Sequence, residues 1–209
     1  MGNDVRSIKP ADLSILSNAA VIAVSQDPHG SSAARRWISA TNDTDATGSA
    51  SIQLWSGSLN STTGGTYDDA VVLLVNGGAS PATLNASLAD IFMDHGAAGT
   101  AAEVGVPWEV RDLWAGRMSD EEAAAIIEAS SAVGNATSGY NASRVGAGRF
   151  NATATSYEVG LGLKNELLLG VVTSTVAPSG TVTASVDAHG VAMFRLRAVQ
   201  TASRKRDEL

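Results

Sequence analysis

The chain has 209 residues, enough for one large domain or a domain with an appendage, and enough to bury a sizeable core. Only 17% of the residues are charged, Ala, Gly, Ser, Thr and Val dominate, and the net charge is −7 with 14 Lys and Arg. That balance argues against binding nucleic acid or an anionic membrane surface, which need a basic patch, and the lack of cysteine excludes disulfides and thiolate metal sites.

Ser7-Ile8-Lys9-Pro10-Ala11-Asp12 reads as a helix start: Pro10 suits the first turn, Asp12 complements the positive end, and Asn18 ends it. Val21-Ile22-Ala23-Val24 is an apolar run too short to assign, and Asp27-Pro28-His29-Gly30 is a turn. Up to about Gly30 the chain is a small helical piece with no core of its own. From Ala33 strands take over. Arg35–Ser39 and Ser51–Trp55 flank a polar loop, and Asp69–Asn76 has the continuous apolar character of a central strand. Ala82–Phe92 alternates Leu84, Ala86 and Leu88 against Thr83, Asn85 and Ser87, so one face is wet. Trp108–Trp114 is a further strand. Ser119-Asp120-Glu121-Glu122 is a capping box before a helix over Ala123–Ala129.

Val133–Tyr157 lacks periodicity and reads as a long excursion, after which Leu167–Val176 resumes the strands. Near the end Val182, Ala184, Val186 and Ala188 alternate with Thr181, Thr183, Ser185 and Asp187. Beyond the turn Asp187-Ala188-His189-Gly190, Ala192, Phe194, Leu196 and Ala198 alternate with Met193, Arg195 and Arg197. The pair reads as a hairpin. About eight strands at short spacing predict a mainly β fold, an antiparallel β-sandwich.

Signals for the secretory pathway are mixed. Asn-x-Ser/Thr acceptors stand at Asn42, Asn60, Asn85, Asn135, Asn141 and Asn151, against about two expected by chance in so Ser/Thr-rich a chain. Arg206-Asp207-Glu208-Leu209, in a polar tail, resembles an endoplasmic-reticulum retrieval signal. No signal peptide is present, and no apolar run approaches the roughly 18 residues of a membrane span. A natural N-terminus upstream of Met1 reconciles these observations, with the protein secreted or retained in the reticulum.

Catalytic signals are sparse. His29, His95 and His189 are far apart, each in a Gly-containing turn, so no metal site and no cofactor is expected. Gly146-Ala147-Gly148 and Gly160-Leu161-Gly162 lack the phosphate-binding fingerprint, and no Gly-x-Ser-x-Gly elbow anchors a hydrolase triad. Trp37, Trp55, Trp108 and Trp114 offer either core packing, which is favoured, or a sugar-stacking platform.

Met1-Gly2-Asn3-Asp4-Val5-Arg6 and Val21-Ile22-Ala23-Val24-Ser25-Gln26-Asp27-Pro28 resemble the C-terminal third of α-galactosidases (melibiases) of glycoside hydrolase family 27, closest to fungal members. Gln53-Leu54-Trp55-Ser56-Gly57, Val110-Arg111-Asp112-Leu113-Trp114 and Ala188-His189-Gly190-Val191-Ala192 extend the resemblance in the right order. Ser25 and His29 depart from the pattern, standing where Asn and Leu are usual. The resemblance implies residues 1–32 as the last strand and helix of a (β/α)8 barrel, 33–199 as a C-terminal Greek-key-type β-sandwich, and 200–209 as a polar tail. It implies a retaining glycosidase whose two catalytic Asp residues lie on barrel strands, the nucleophile in a Lys-Tyr-Asp motif that this chain lacks. Thr66-Tyr67-Asp68-Asp69 is read as a turn with no catalytic role, so no catalytic residue is assigned here. Asn3, Asp4 and Arg6 sit beside the pocket in the family; an Asp4–Arg6 structural ion pair is the preferred alternative. The implied partner is a galactose-containing oligosaccharide, held by the barrel. A stand-alone carbohydrate-binding or structural sandwich module is the competing reading.

Overall fold

The computed structural model describes residues 8–29, 32–40, 50–60, 66–132 and 150–199. Contacts divide the chain into two compact units, one within Met1–Gly30 and Asp112–Val171, the other within Ser31–Arg111 and Val172–Leu209. Asn3, Asp4, Arg6, Asn42, Asn135, Asn141 and the Arg206–Leu209 tail lie outside the described residues.

The second unit is an antiparallel β-sandwich. Strands β1 (Ala34–Ala40), β2 (Ser51–Leu59), β3 (Asp69–Asn76), β5 (Trp108–Asp112), β6 (Val171–Val176) and β8 (Val191–Ala198) form one sheet in the order β1-β2-β3-β8-β5-β6. β4 (Ala82–Ser87) and β7 (Thr181–Val186) pair antiparallel as a second sheet. Alternation sets which side chains face inward. Leu54, Val72, Leu74, Phe194 and Leu196 of the larger sheet meet Leu84, Ala86, Val182 and Val186 of the smaller one in a single core, closed at one side by Phe92 and Trp108. The expectation of a β-sandwich therefore holds.

The terminal hairpin does not. β7 pairs with β4 in one sheet, while β8 inserts between β3 and β5 in the other, so the Asp187–Gly190 turn carries the chain across the core instead of closing a hairpin. Alternation is the same for both arrangements; the deciding contacts come from β3. The Asn76 side-chain amide donates to the carbonyls of Ser80, Val186 and Asp187, and the backbone N–H of Asn76 donates to the Gly190 carbonyl. His189, at φ 54°, donates its backbone N–H to the Gly78 carbonyl.

Strand β4 stops at Ser87, whose hydroxyl caps the short helix α3 (Leu88–Ile91). A 3₁₀ turn (Met93–His95) and helix α4 (Gly96–Val104) follow, where alternation suggested strand to Phe92. Leu88, Ile91 and Phe92 bury in the core as helix residues, because an apolar run of this length does not distinguish helix from strand.

The other unit is helical. Helix α1 (Pro10–Leu16) starts with Pro10 in its first turn, and Asn18 caps a second helix, α2 (Ala19–Ser25), instead of only ending the first. α1 packs on α5 (Asp120–Ala132), whose capping box is reciprocal: Glu122 N–H donates to Ser119 Oγ at 3.1 Å and Ser119 N–H to the Glu122 carboxylate at 2.9 Å. α6 (Tyr157–Gly162) and α7 (Glu166–Leu169) complete it; Leu167–Leu169 are helical, and the strand begins only at Val171, after Gly170 at φ 82°. Residues 8–29 have no core of their own, as expected, but share one with distant residues. Ala23 is fully buried with Leu161, Leu168 and Leu169, and the Asn18 amide donates to the Leu113 carbonyl at 2.9 Å. These partners lie more than 90 positions away, beyond the reach of any local pattern.

Replacing Asn76 with Ala strips three carbonyls of their donor at the crossover and should cost roughly 2–4 kcal/mol. The urea midpoint should fall with an unchanged m-value; a shift equal to that of an exposed Asn→Ala control would contradict this role for Asn76.

Candidate functional site

The inner face of β2 turns from apolar to polar along its length. Ile52 and Leu54 reach the core, whereas Ser56 donates its hydroxyl to the Ile91 carbonyl at 2.6 Å, and Ser58 Oγ lies 3.0 Å from Nε2 of His95. A register shift between Arg35 and Trp37 makes Arg36 a bulge residue on the edge strand. Its guanidinium contacts Ser56 Oγ and carbonyl and forms an ion pair with Asp94. Next to Asp94, His95 presents Nδ1 to the Glu103 carboxylate at 2.7 Å. Three hydroxyl, imidazole and carboxylate groups thus line up at one rim of the sandwich. His95 is not the plain turn histidine expected from sequence, while His29 and His189 do lie in exposed turns.

The outer face of the same sheet carries a second charged cluster. Arg195 and Arg197 on β8 face Asp69 on β3 at 2.9 and 3.5 Å, and Arg111 pairs with Glu109 on β5. Arg195 is fully buried and Asp69 nearly so, which makes this a structural charge group with no room for a substrate. Desolvation holds the Arg197 guanidinium below its usual range, opposed by Asp69. Tyr67 packs its ring 6.2 Å from Trp108, and Asp68 is exposed beside it, as befits a turn.

The indoles form no platform. Trp108 is fully buried against Phe92, with its Nε1 donating to the Glu103 carbonyl; Trp55 donates to Gln53 and lies under Arg35; Trp37 packs on the core. Trp114 belongs to the helical unit, half-buried. That unit carries an open pocket of about 290 Å³, lined by Leu13, Ile22, Met118, Ile126, Phe150 and Tyr157. Burial pushes the Tyr157 phenol up, so it stays a neutral donor there.

Three acceptor asparagines are visible and exposed. Asn60 follows β2, Asn85 accepts a hydrogen bond from the Thr183 hydroxyl across the β4–β7 pair, and Asn151 turns its Oδ1 onto the backbone N–H groups of Thr153 and Ala154. Among the described residues no cluster of three potential metal ligands occurs.

Comparison with known proteins decides the family. The profile described as "Alpha galactosidase C-terminal beta sandwich domain" matches residues 49–134. The α-galactosidase of Torulaspora delbrueckii is 40% identical over 197 residues, covering 94% of this chain and 37% of its own. The chain corresponds to the C-terminal portion of the fungal-type α-galactosidases of glycoside hydrolase family 27. Alpha-galactosidase 2 of Saccharomyces cerevisiae is 37% identical over the same share of the chain and 38% of its own length. The solved α-galactosidase of Saccharomyces cerevisiae, also determined with raffinose, superposes with a TM-score of 0.80 at 33% identity, over 95% of this chain and 40% of that one. The chain thus spans about two-fifths of the length of these α-galactosidases. Within it the sequence motifs fall on structural positions: Gln53–Gly57 in β2, Val110–Asp112 in β5, and Ala188–Ala192 at the crossover into β8.

Burial pushes the Glu103 carboxyl up from its usual range, with His95 pulling the other way. The folded state therefore holds this proton more tightly than the unfolded chain does. Its contribution is complete below the unfolded carboxyl range and is lost as pH rises through the raised folded value, at no more than about 1.4 kcal/mol per pH unit. Glu103→Gln should remove that loss, so the two urea-midpoint curves should separate as pH rises; parallel curves would contradict the assignment.

Proposed function

We propose that this chain serves as the non-catalytic C-terminal portion of an α-galactosidase that removes terminal non-reducing α-D-galactose from galactosides. Its support is the likeness to named α-galactosidases along 94% of the chain, together with the buried Asp69, which is tied to Arg195 and Arg197. In this reading residues 1–32 end the barrel portion, 33–199 carry the sandwich with its helical excursion, and the galactose-containing substrate is bound by the barrel. Catalysis there would use two carboxylates flanking the glycosidic bond, one as nucleophile and one as acid/base. The sandwich would give that barrel a stable neighbour to fold against.

Hydrolysis of an aryl α-galactoside tests this directly. The isolated chain should show no turnover above buffer, and a chimera placing it in the equivalent portion of the Saccharomyces cerevisiae α-galactosidase should retain activity. Turnover by the isolated chain would overturn the non-catalytic assignment.

The excess of acceptor sites supports a glycoprotein of carbohydrate metabolism that follows the secretory pathway, secreted or retained through Arg206–Leu209. Asn60, Asn85 and Asn151, all exposed, meet the steric requirement for a glycan. Secretion from yeast behind a leader peptide should add glycans removable by an N-glycosidase, with Asn→Asp conversion at these positions by mass spectrometry. Unmodified peptides at all three would count against it.

A further inference from the structure

The Ser58, His95 and Glu103 rim has an order that packing alone does not require. Ser58 Oγ is 3.0 Å from His95 Nε2, and both Glu103 carboxylate oxygens are 2.7 Å from Nδ1. An ionised carboxylate only accepts, so in the neutral ring Nδ1 carries the proton and Nε2 turns its lone pair to the Ser58 hydroxyl. A hydroxyl, a base within reach of its proton, and a third group fixing the base's tautomer are what activates a serine.

The fold holds this order rigidly. Gly96, at φ +71°, turns the chain so that α4 runs back beside His95, and a Cβ at Gly99 would meet the His95 Cβ at 3.0 Å. One turn further, Glu103 reaches Nδ1, and its own carbonyl receives the Trp108 indole N–H at 2.8 Å. Phe92 packs against the imidazole with ring centroids 5.7 Å apart. Accessibility is graded in the useful direction: the Glu103 side chain is 9% exposed, the His95 ring 26%, and Ser58 is half-buried at the rim.

We propose that Ser58, His95 and Glu103 form an acyl-transfer centre for small carboxylic esters, with Ser58 as nucleophile, His95 as base and Glu103 as positioning residue. Ser58 Oγ bonds to the acyl carbon while its proton passes to Nε2. The bond from that carbon to the alcohol oxygen breaks, and the departing oxygen takes the proton from Nε2. Water then gives a proton to Nε2 as it attacks the acyl-serine, and the returning proton restores the Ser58 hydroxyl as the acid leaves. Ser58 and His95 reach solvent while Glu103 is buried, and the half-burial of Ser58 limits the acyl group to a small one. This chemistry is separate from galactoside hydrolysis and stands whether or not that reading holds.

The test is covalent capture of the full chain by a fluorophosphonate probe, with the modified serine located by tandem mass spectrometry. Labelling is expected at Ser58, absent in Ser58→Ala, and slowed at least 100-fold in His95→Gln. Glu103→Gln should slow it by roughly 10³–10⁴, as loss of the correct tautomer does. Circular dichroism confirms that each variant is folded; if one is not, labelling of the native chain at Ser58 decides. A folded chain unlabelled at Ser58, or a label there indifferent to His95→Gln, would overturn the proposal and leave the trio as a fastening between β2 and α4.

Discussion

The position of β8 is the constraint on which the sandwich depends. This last described strand lies between β3 and β5, so both of its edges are hydrogen-bonded, and the buried run Met193–Arg197 shows that both of its faces are covered as well. Phe194 and Leu196 fill the core on one side, and on the other Arg195 and Arg197 must be carried into the interior. Buried cations are tolerated only with counter-charges, and Asp69, brought opposite by the antiparallel β3–β8 register, supplies one. Hydrophobic burial draws β8 into place, and this charge match makes the register specific, since a one-residue slip would exchange its arginines with Phe194 and Leu196.

The crossover before β8 follows from the same demand. A hairpin would leave β7 beside β8 and leave β4 without a partner. Asn76 resolves the choice by gathering the carbonyls of Ser80, Val186 and Asp187 around one amide at the end of β3. The two sheets are thus joined by hydrogen bonds at one end and by a shared apolar core between them.

At the other end, β2 meets the turn into α4 through hydroxyls instead of methyl groups. Ser56, Ser58, Arg36, Asp94, His95 and Glu103 make a hydrogen-bonded rim where an apolar contact would have sufficed for packing. Such polar groups are costly unless each is satisfied, and the bulge at Arg36 together with the turn at Gly96 supplies the geometry. This ordered rim is a chemical feature of the sandwich distinct from its apolar core.

Several features were legible in the sequence because their physics is local. Period-two alternation marked β4, β7 and β8, the Ser119–Glu122 box marked α5, and the α-galactosidase motifs pointed to the family that comparison supports. Alternation says which side chains share a face, but it is silent on which strand pairs with which, so the hairpin reading failed where β7 and β8 part into different sheets. Short apolar runs at Val21–Val24 and Leu167–Leu169 became helices because packing with distant residues outweighed weak local preference. The rim of Ser58, His95 and Glu103 had no sequence signature: its members come from a strand, a turn and a helix, and only tertiary packing closed the 37 positions between Ser58 and His95 to 3.0 Å. Sequence alone determined the strand faces, the caps and the kinship; the partnering of strands, the anchoring of the first helices and the meeting of these three side chains were decided by tertiary structure, because each depends on contacts made between residues far apart along the chain.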